Sequence, residues 1–191
     1  EDGRLEPLEI DTHDYVNGFC TVCGEYQSAT DENEDGVYEI SNAGQLYWFA
    51  EYINAGNTSV NAILTADIVV NEGVMSAEST DARVWTPIGH ADNKYIGTFD
   101  GNEHTVSGLY LNDSERNYVG LFGSVGNNGV VKNTGVINSY LNGCNGVGGV
   151  VGFSDHSTVT NCYNTGDVFG ISGVGGVIGD DYFSTITNCY N

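Results

Sequence analysis

Two groups of residues in this chain have the types and spacing of ion ligands. In "HDYVNGFCTVCGEY", His13, Cys20 and Cys23 follow an H-x6-C-x2-C pattern around a glycine. A CxxC turn presents two thiolates on one side, and an imidazole adds a third borderline-soft donor, which is the chemistry of tetrahedral zinc. The competing chemistry is a Cys20–Cys23 disulfide or free thiols in an exported protein. Either an ion or a disulfide would staple a stretch too small to own a core. In "DENEDGVYEISN", Asp31, Asn33, Asp35 and Gly36 match the opening of a calcium loop, where alternate oxygens face the ion and glycine turns the chain. The twelfth position is Asn42 and not a bidentate Glu, and no helical pattern precedes Asp31, so the run reads first as an acidic linker.

For catalysis the residues to weigh are Asp155 with His156 and Asp180 with Asp181, which an exposed ladder could turn to carboxylate chemistry. Both pairs fall in a turn that varies between repeats, where a His beside an Asp is ordinarily just solvated. The chain has no HExxH, no GxSxG elbow and no GxxxxGK[ST] phosphate loop. The expectation is a protein that is not an enzyme.

Composition narrows the partners. Five Lys+Arg against 26 Asp+Glu give a net charge of −21 over 191 residues, which repels nucleic-acid phosphates and anionic lipid. No run approaches the roughly 18 apolar residues of a membrane span, and no positively charged start followed by an apolar stretch marks a signal peptide within this sequence, so an export signal or wall anchor is expected outside it. Hydrophobic residues make up 40%, so a core can form. The start without Met and the stop just after a repeated phrase are expected of a mature piece of something longer, with further domains outside it.

What positions these residues is a repeat. "VGLFGSVGNNGVVKNTGV" at Val119–Val136, "VGGVVGFSDHSTVTNCYN" at Val147–Asn164 and "VGGVIGDDYFSTITNCYN" at Val174–Asn191 align so that Gly123, Gly152 and Gly179 correspond, as do Asn133, Asn161 and Asn188. A period near 28 with short β-favouring runs between Gly, Asn, Asp and Ser predicts a mainly β fold, a parallel β-solenoid. Glycines are expected at sharp corners that need φ > 0, and the asparagines as a ladder of stacked amides. Cys162 and Cys189 fall one coil apart as stacked thiols, a disulfide being the lesser reading, and Cys144 has no repeat partner. An open solenoid end must be covered. In "SNAGQLYWFAEYINAG", Leu46, Phe49, Ala50 and Ile53 at i, i+3, i+4 and i+7 predict a capping α-helix, with Ser41 as N-cap and Gly56 as stop. Trp48 and Tyr52 read as packing, with a ligand platform as the alternative. The predicted layout is a Cys/His knuckle over 1–30, an acidic linker over 31–40 and a solenoid over 41–191, with repeats near 119–146, 147–173 and 174–191.

These phrases resemble GLUG-motif repeats, and "WTPIGHADNKYIGTFDGNEHTVSGLYL" is similar to the segment that commonly precedes them. The resemblance implies a bacterial cell-surface, cell-wall or secreted location, in adhesin-like chains or in non-catalytic N-terminal regions of IgA-specific metallopeptidases. Short modules of clostridial-type surface proteins similar to the knuckle place a Cys two residues before the His; this chain has Asp11 there, a carboxylate that can serve as fourth zinc ligand. The functional expectation is a non-catalytic adhesion or interaction module. Its partner is expected to be a host glycan or an extracellular protein, and loops Asp92–Tyr95, Asp113–Tyr118 and Asp180–Phe183 offer contacts. The alternative is a rigid spacer, or a non-catalytic part of a secreted peptidase or polysaccharide-acting enzyme. Clustering of exposed aromatics on one face would separate a ligand site from a plain rod.

Overall fold

The structure, a computed structural model, describes residues 13–191, so Asp11 lies outside the described residues. Short strands of two to five residues, rich in Val, Ile, Thr and Tyr, are stacked coil upon coil into a parallel β-solenoid. One complete coil runs through strands Phe122–Gly126, Val130–Lys132, Gly135–Ile137, Tyr140–Asn142 and Asn145–Gly148. The next begins at Val151–Asp155 in register, Val151 opposite Phe122 and Ser154 opposite Val125. The longest ladder is a six-stranded parallel sheet, from Val37–Ile40 through Asn61–Leu64, Thr98–Asp100, Val130–Lys132 and Thr158–Thr160 to Thr185–Thr187.

Alternation within these strands sends every second side chain into the coil. Phe99, Val131 and Val159 therefore stack in one fully buried column, and Leu111 and Leu141 in another. Each such buried side chain is worth about 1.5–3 kcal/mol relative to exposure. Cys162 belongs to this interior, its thiol donating to the Thr160 carbonyl at 3.3 Å, and burial pushes the thiol up to about 12. Cys189 repeats that bond to the Thr187 carbonyl at 3.4 Å, and both sulfurs are free thiols.

Glycine takes left-handed positions at Gly108, Gly146 and Gly173, as expected of corners, but at the repeat positions singled out from sequence corners and close approaches are divided between two residue types. The left-handed turn after each of the last three strands of the long sheet is made by asparagine: Asn133, Asn161 and Asn188 have φ of 55°, 54° and 53°. Their amides form the expected ladder, Asn188 Nδ2 donating to Asn161 Oδ1 at 3.1 Å and Asn161 Nδ2 to Asn133 Oδ1 at 2.8 Å. Asparagine tolerates this region of φ and gains the ladder bond as well. Gly123, Gly152 and Gly179 instead sit inside strands, outside the left-handed region. A Cβ on Gly152 would lie 2.6 Å from the Val119 nitrogen, and one on Gly179 2.4 Å from the Val147 nitrogen. They are needed for backbone contact.

The helix spans Ala43–Asn54 and buries Leu46, Phe49, Ala50 and Ile53 completely, the predicted stripe. Phe49 meets Tyr95 and Phe99, and Tyr47 meets Trp85 edge-on at 5.0 Å, so the helix closes over the first coils. The N-cap is Asn42, whose Oδ1 accepts the Gln45 N–H at 2.9 Å. Ser41 binds the Gln45 side chain instead, through both its N–H and its hydroxyl. Gly56 follows the helix at φ 109°. The solenoid also begins earlier than expected: Val37–Ile40, assigned to the linker from sequence, pairs in parallel with Asn61–Leu64.

Candidate functional site

The knuckle is a hairpin of Tyr15–Val16 and Phe19–Cys20 joined at Asn17–Gly18. Both turn residues have positive φ, 50° and 78°, the conformation that Asn-Gly favours between two strands. Its tip docks on the helix N-terminus: Asn17 Oδ1 accepts the Ala43 N–H at 3.2 Å and the Asn17 carbonyl the Gly44 N–H at 3.0 Å. Two donors that the helix leaves unpaired are thus satisfied from the hairpin. Phe19 is clamped between Tyr26, Tyr47 and the Arg83 guanidinium, which lies 3.7 Å from the ring centre.

At the open end of the hairpin the three sequence-predicted donors converge. His13 Nδ1 is 3.3 Å from Cys20 Sγ and 3.4 Å from Cys23 Sγ, and the three donor atoms lie within 4.8 Å of one another. The other ring nitrogen, Nε2, faces the Glu25 carboxylate at 3.5 Å. The Cys23 N–H pointing at Cys20 Sγ, then His13 and the Val22 N–H, lower the Cys20 thiol to about 6 against the push of burial. The Cys23 thiol shifts upward: the Glu25 N–H pulls it down, but the proton shared with Cys20, burial and nearby negative charge outweigh that pull. The two thiols thus shift in opposite directions, with one imidazole nitrogen within 3.4 Å of both sulfurs.

The calcium-like residues are arranged differently. Asp31 accepts the Asp35 and Gly36 N–H groups at 3.0 and 2.8 Å, Asn33 also accepts from Asp35, and Asp35 Oδ1 accepts the Val37 N–H at 2.9 Å. Each side chain is engaged by the loop's own backbone, which turns the chain into its first solenoid strand.

Aromatic columns stand at several corners, their members running from buried, as Tyr110 and Tyr140, to exposed, as Phe169 and Tyr190. Tyr110, Tyr140 and Phe169 form one stacked column, Tyr118 and Phe153 a second, and Tyr163 and Tyr190 a third, the last pair 5.2 Å apart and 5° from parallel. Tyr38, Trp48 and Tyr52 lie ring against ring on the outside of the cap. Tyr95, counted from sequence among the contact loops, is fully buried in the core. Sequence reasoning missed the groove beside the third column. Tyr163 lies directly on Gly135, where a Cβ would come within 2.2 Å of the ring, and the asparagine ladder runs alongside. Its signal was the shared register of Gly135, Tyr163 and Tyr190, which a glycine-to-aromatic change disguised.

The acidic pairs are held apart or held by neighbours. Asp155 is engaged by Lys94 and by His156 Nδ1, and these bonds lower its carboxyl below the usual range. Asp180 and Asp181 are consecutive in strand Ile178–Tyr182, so alternation turns them to opposite faces.

Comparison with known proteins follows the same repeat. The chain is 35% identical to halomucin of Haloquadratum walsbyi over 139 residues, 71% of this chain and 2% of that protein. It is 39% identical over 57 residues, 30% of this chain, to a protein of Evansella cellulosilytica provisionally named a Gly-rich membrane protein, of which the match covers 7%. The chain thus spans only a small part of the length of these curated relatives. Among solved structures, a crystal structure from Bacteroides ovatus, provisionally described as an immunoglobulin A1 protease, shares 18% identity at a TM-score of 0.41, covering 87% of this chain and 69% of that one. Residues 143–168 match the model of the GLUG motif, and these residues hold four strands, from Asn145–Gly148 to Tyr163–Asn164, and the start of a fifth, Asp167–Phe169. The chain therefore carries the GLUG motif as one coil of its parallel β-solenoid.

Proposed function

We propose that this chain is a non-catalytic module of an exported or surface-located protein, presenting a rigid face to a glycan or an extracellular protein. The observation that carries the reading is the groove of Tyr163, Tyr190, Asn161 and Asn188, where a flat aromatic pair stands beside a row of amides. Aromatic faces and amides are the groups that hold sugars and polar protein surfaces. The names of the halomucin and membrane-protein relatives support a surface or secreted location, and their much greater length supports one module among many. The test is binding of the purified chain to an array of host glycans and matrix proteins, with and without calcium. Saturable, selective binding that Tyr190→Ala weakens by roughly threefold to tenfold is expected.

A second reading, the rigid spacer, is favoured by one observation: the aromatic columns occupy several corners of the coil and not one face. A blank array would select it.

A further inference from the structure

We propose that His13, Cys20 and Cys23 bind one zinc ion, and that this ion fastens the hairpin which caps the solenoid's helix. Zinc bonds of about 2.3 Å to sulfur and about 2.05 Å to nitrogen, at tetrahedral angles, set neighbouring S and N donors about 3.6 Å apart. The two distances from His13 Nδ1, 3.3 and 3.4 Å, need only a few tenths of an ångström of opening. Two sulfurs and an imidazole select zinc over calcium or magnesium, which require oxygen. Among the described residues the cluster holds three donors, so a tetrahedral ion takes its fourth from outside this set.

Glu25 gives the site its orientation. With the proton on Nε2 directed at the Glu25 carboxylate, 3.5 Å away, Nδ1 turns its lone pair toward the two sulfurs, where the ion would sit. This is the relay of carboxylate, histidine and zinc that fixes a ligand's tautomer. Glu25 is thus a positioning residue and not a ligand.

The mechanical consequence follows from where the donors lie. His13 precedes the first strand of the hairpin, Cys20 ends the second, and Cys23 lies in the turn beyond. The Asn17–Gly18 tip closes one end of the hairpin, and the ion closes the other. Asn17 caps the Ala43 and Gly44 N–H groups, and Gly44 meets Gly18 so closely that a Cβ there would lie 1.8 Å from the Gly18 carbonyl oxygen. Fixing the hairpin therefore fixes the helix start, and through it the cover of the first coils.

The experiment uses the full chain, purified reduced and metal-free, then titrated with zinc and, in parallel, with cobalt(II). About one ion per chain is expected, with the sulfur-to-cobalt charge-transfer band and ligand-field spectrum of a tetrahedral thiolate site. Glu25→Gln should weaken zinc binding by roughly 10- to 100-fold. Cys20→Ser with Cys23→Ser should abolish it, and metal removal should speed amide exchange at Ala43 and Gly44 while leaving Thr158–Thr160 unchanged. The unmodified chain needs no variant to fold, so absence of stoichiometric binding by the reduced protein overturns the proposal. A Cys20–Cys23 disulfide in the protein isolated from its native compartment, or zinc retained by the double variant, does the same. An unchanged affinity in Glu25→Gln removes the role given to Glu25. A blank glycan array leaves all these outcomes unaffected.

Discussion

Val147–Asn164 and Val174–Asn191 are nearly the same words in two settings. In the first, Val159 is fully buried, Cys162 is buried and Asn164 is buried; in the second, the matching Ile186 is 42% exposed, Cys189 is half-buried and Asn191 is exposed. Backbone pairing is the same, with Val159 opposite Ile186 and Thr160 opposite Thr187. The difference is that, among the described residues, the first coil pairs with a coil on both sides and the second with a coil on one. In a solenoid a residue's environment is thus a property of its stack more than of its local sequence, and stability is a sum over adjacent pairs of coils.

The strongest way to break this comparison is a charge. Val159→Asp would strand a carboxylate in the sealed column between Val131 and Ile186, at a cost of about 3–5 kcal/mol. Ile186→Asp at the matched position can reach water and should cost under about 1 kcal/mol. Denaturant midpoints at equal slope measure both, and similar losses would mean that the coils are not in different settings at all. The asparagine ladder gives a smaller and finer contrast. Asn161→Ala loses a ladder partner on each side and forces alanine to φ 54°, together about 2–3 kcal/mol. Asn161→Gly should recover about half of that, because the conformational penalty disappears. Asn188→Ala, with one ladder bond, should be milder than Asn161→Ala by roughly 1 kcal/mol. Thermal unfolding of the three variants orders them, and a glycine variant as damaged as the alanine one would remove the left-handed argument.

The smallest effect is in acid. Asp155 is paired in register with Tyr182 of the next coil, so only the inner coil carries the ion pair to Lys94. Lys94 and His156 lower the Asp155 carboxyl. Its contribution is therefore complete above the unfolded value of about 3.9 and is lost as pH falls through the lower folded value. Asp100 behaves likewise: burial raises its carboxyl, but bonds from Asn133, the Asn102 N–H and Lys132 outweigh that and lower it. Lys94→Met should flatten the fall in stability below about pH 4. An acid limb unchanged in that variant would show that the pair contributes nothing.

The coil, the helix stripe and the asparagine ladder were legible in sequence because stacking demands like residues at like positions, as at Asn133, Asn161 and Asn188. Which residue turns and which one yields space was not legible. Both uses favour Gly and Asn, and only the distances around Gly152 and the φ of Asn161 separate them. Val37–Ile40 was hidden by the acidic run before it, since a strand at a sheet's edge needs little apolar patterning. Within the candidate metal centre, the donors were legible from spacing, but Glu25 was not, because its role depends on the ring orientation of His13. The docking of Asn17 on the helix had a visible signal in the Asn-Gly pair, whose partner lay 26 positions away.

The asparagine ladder has a direction as well as a period. Asn188 donates to Asn161, Asn161 to Asn133, and Asn133 to the Asp100 carboxylate at 2.9 Å. Every amide dipole in the row points the same way, its positive end toward a fixed negative charge. The row is a short electret along the solenoid axis, with its head neutralised at Asp100 and its tail at Asn188. Like the backbone dipoles of a helix, it gives the row two electrically different ends even though the coils it crosses are nearly alike.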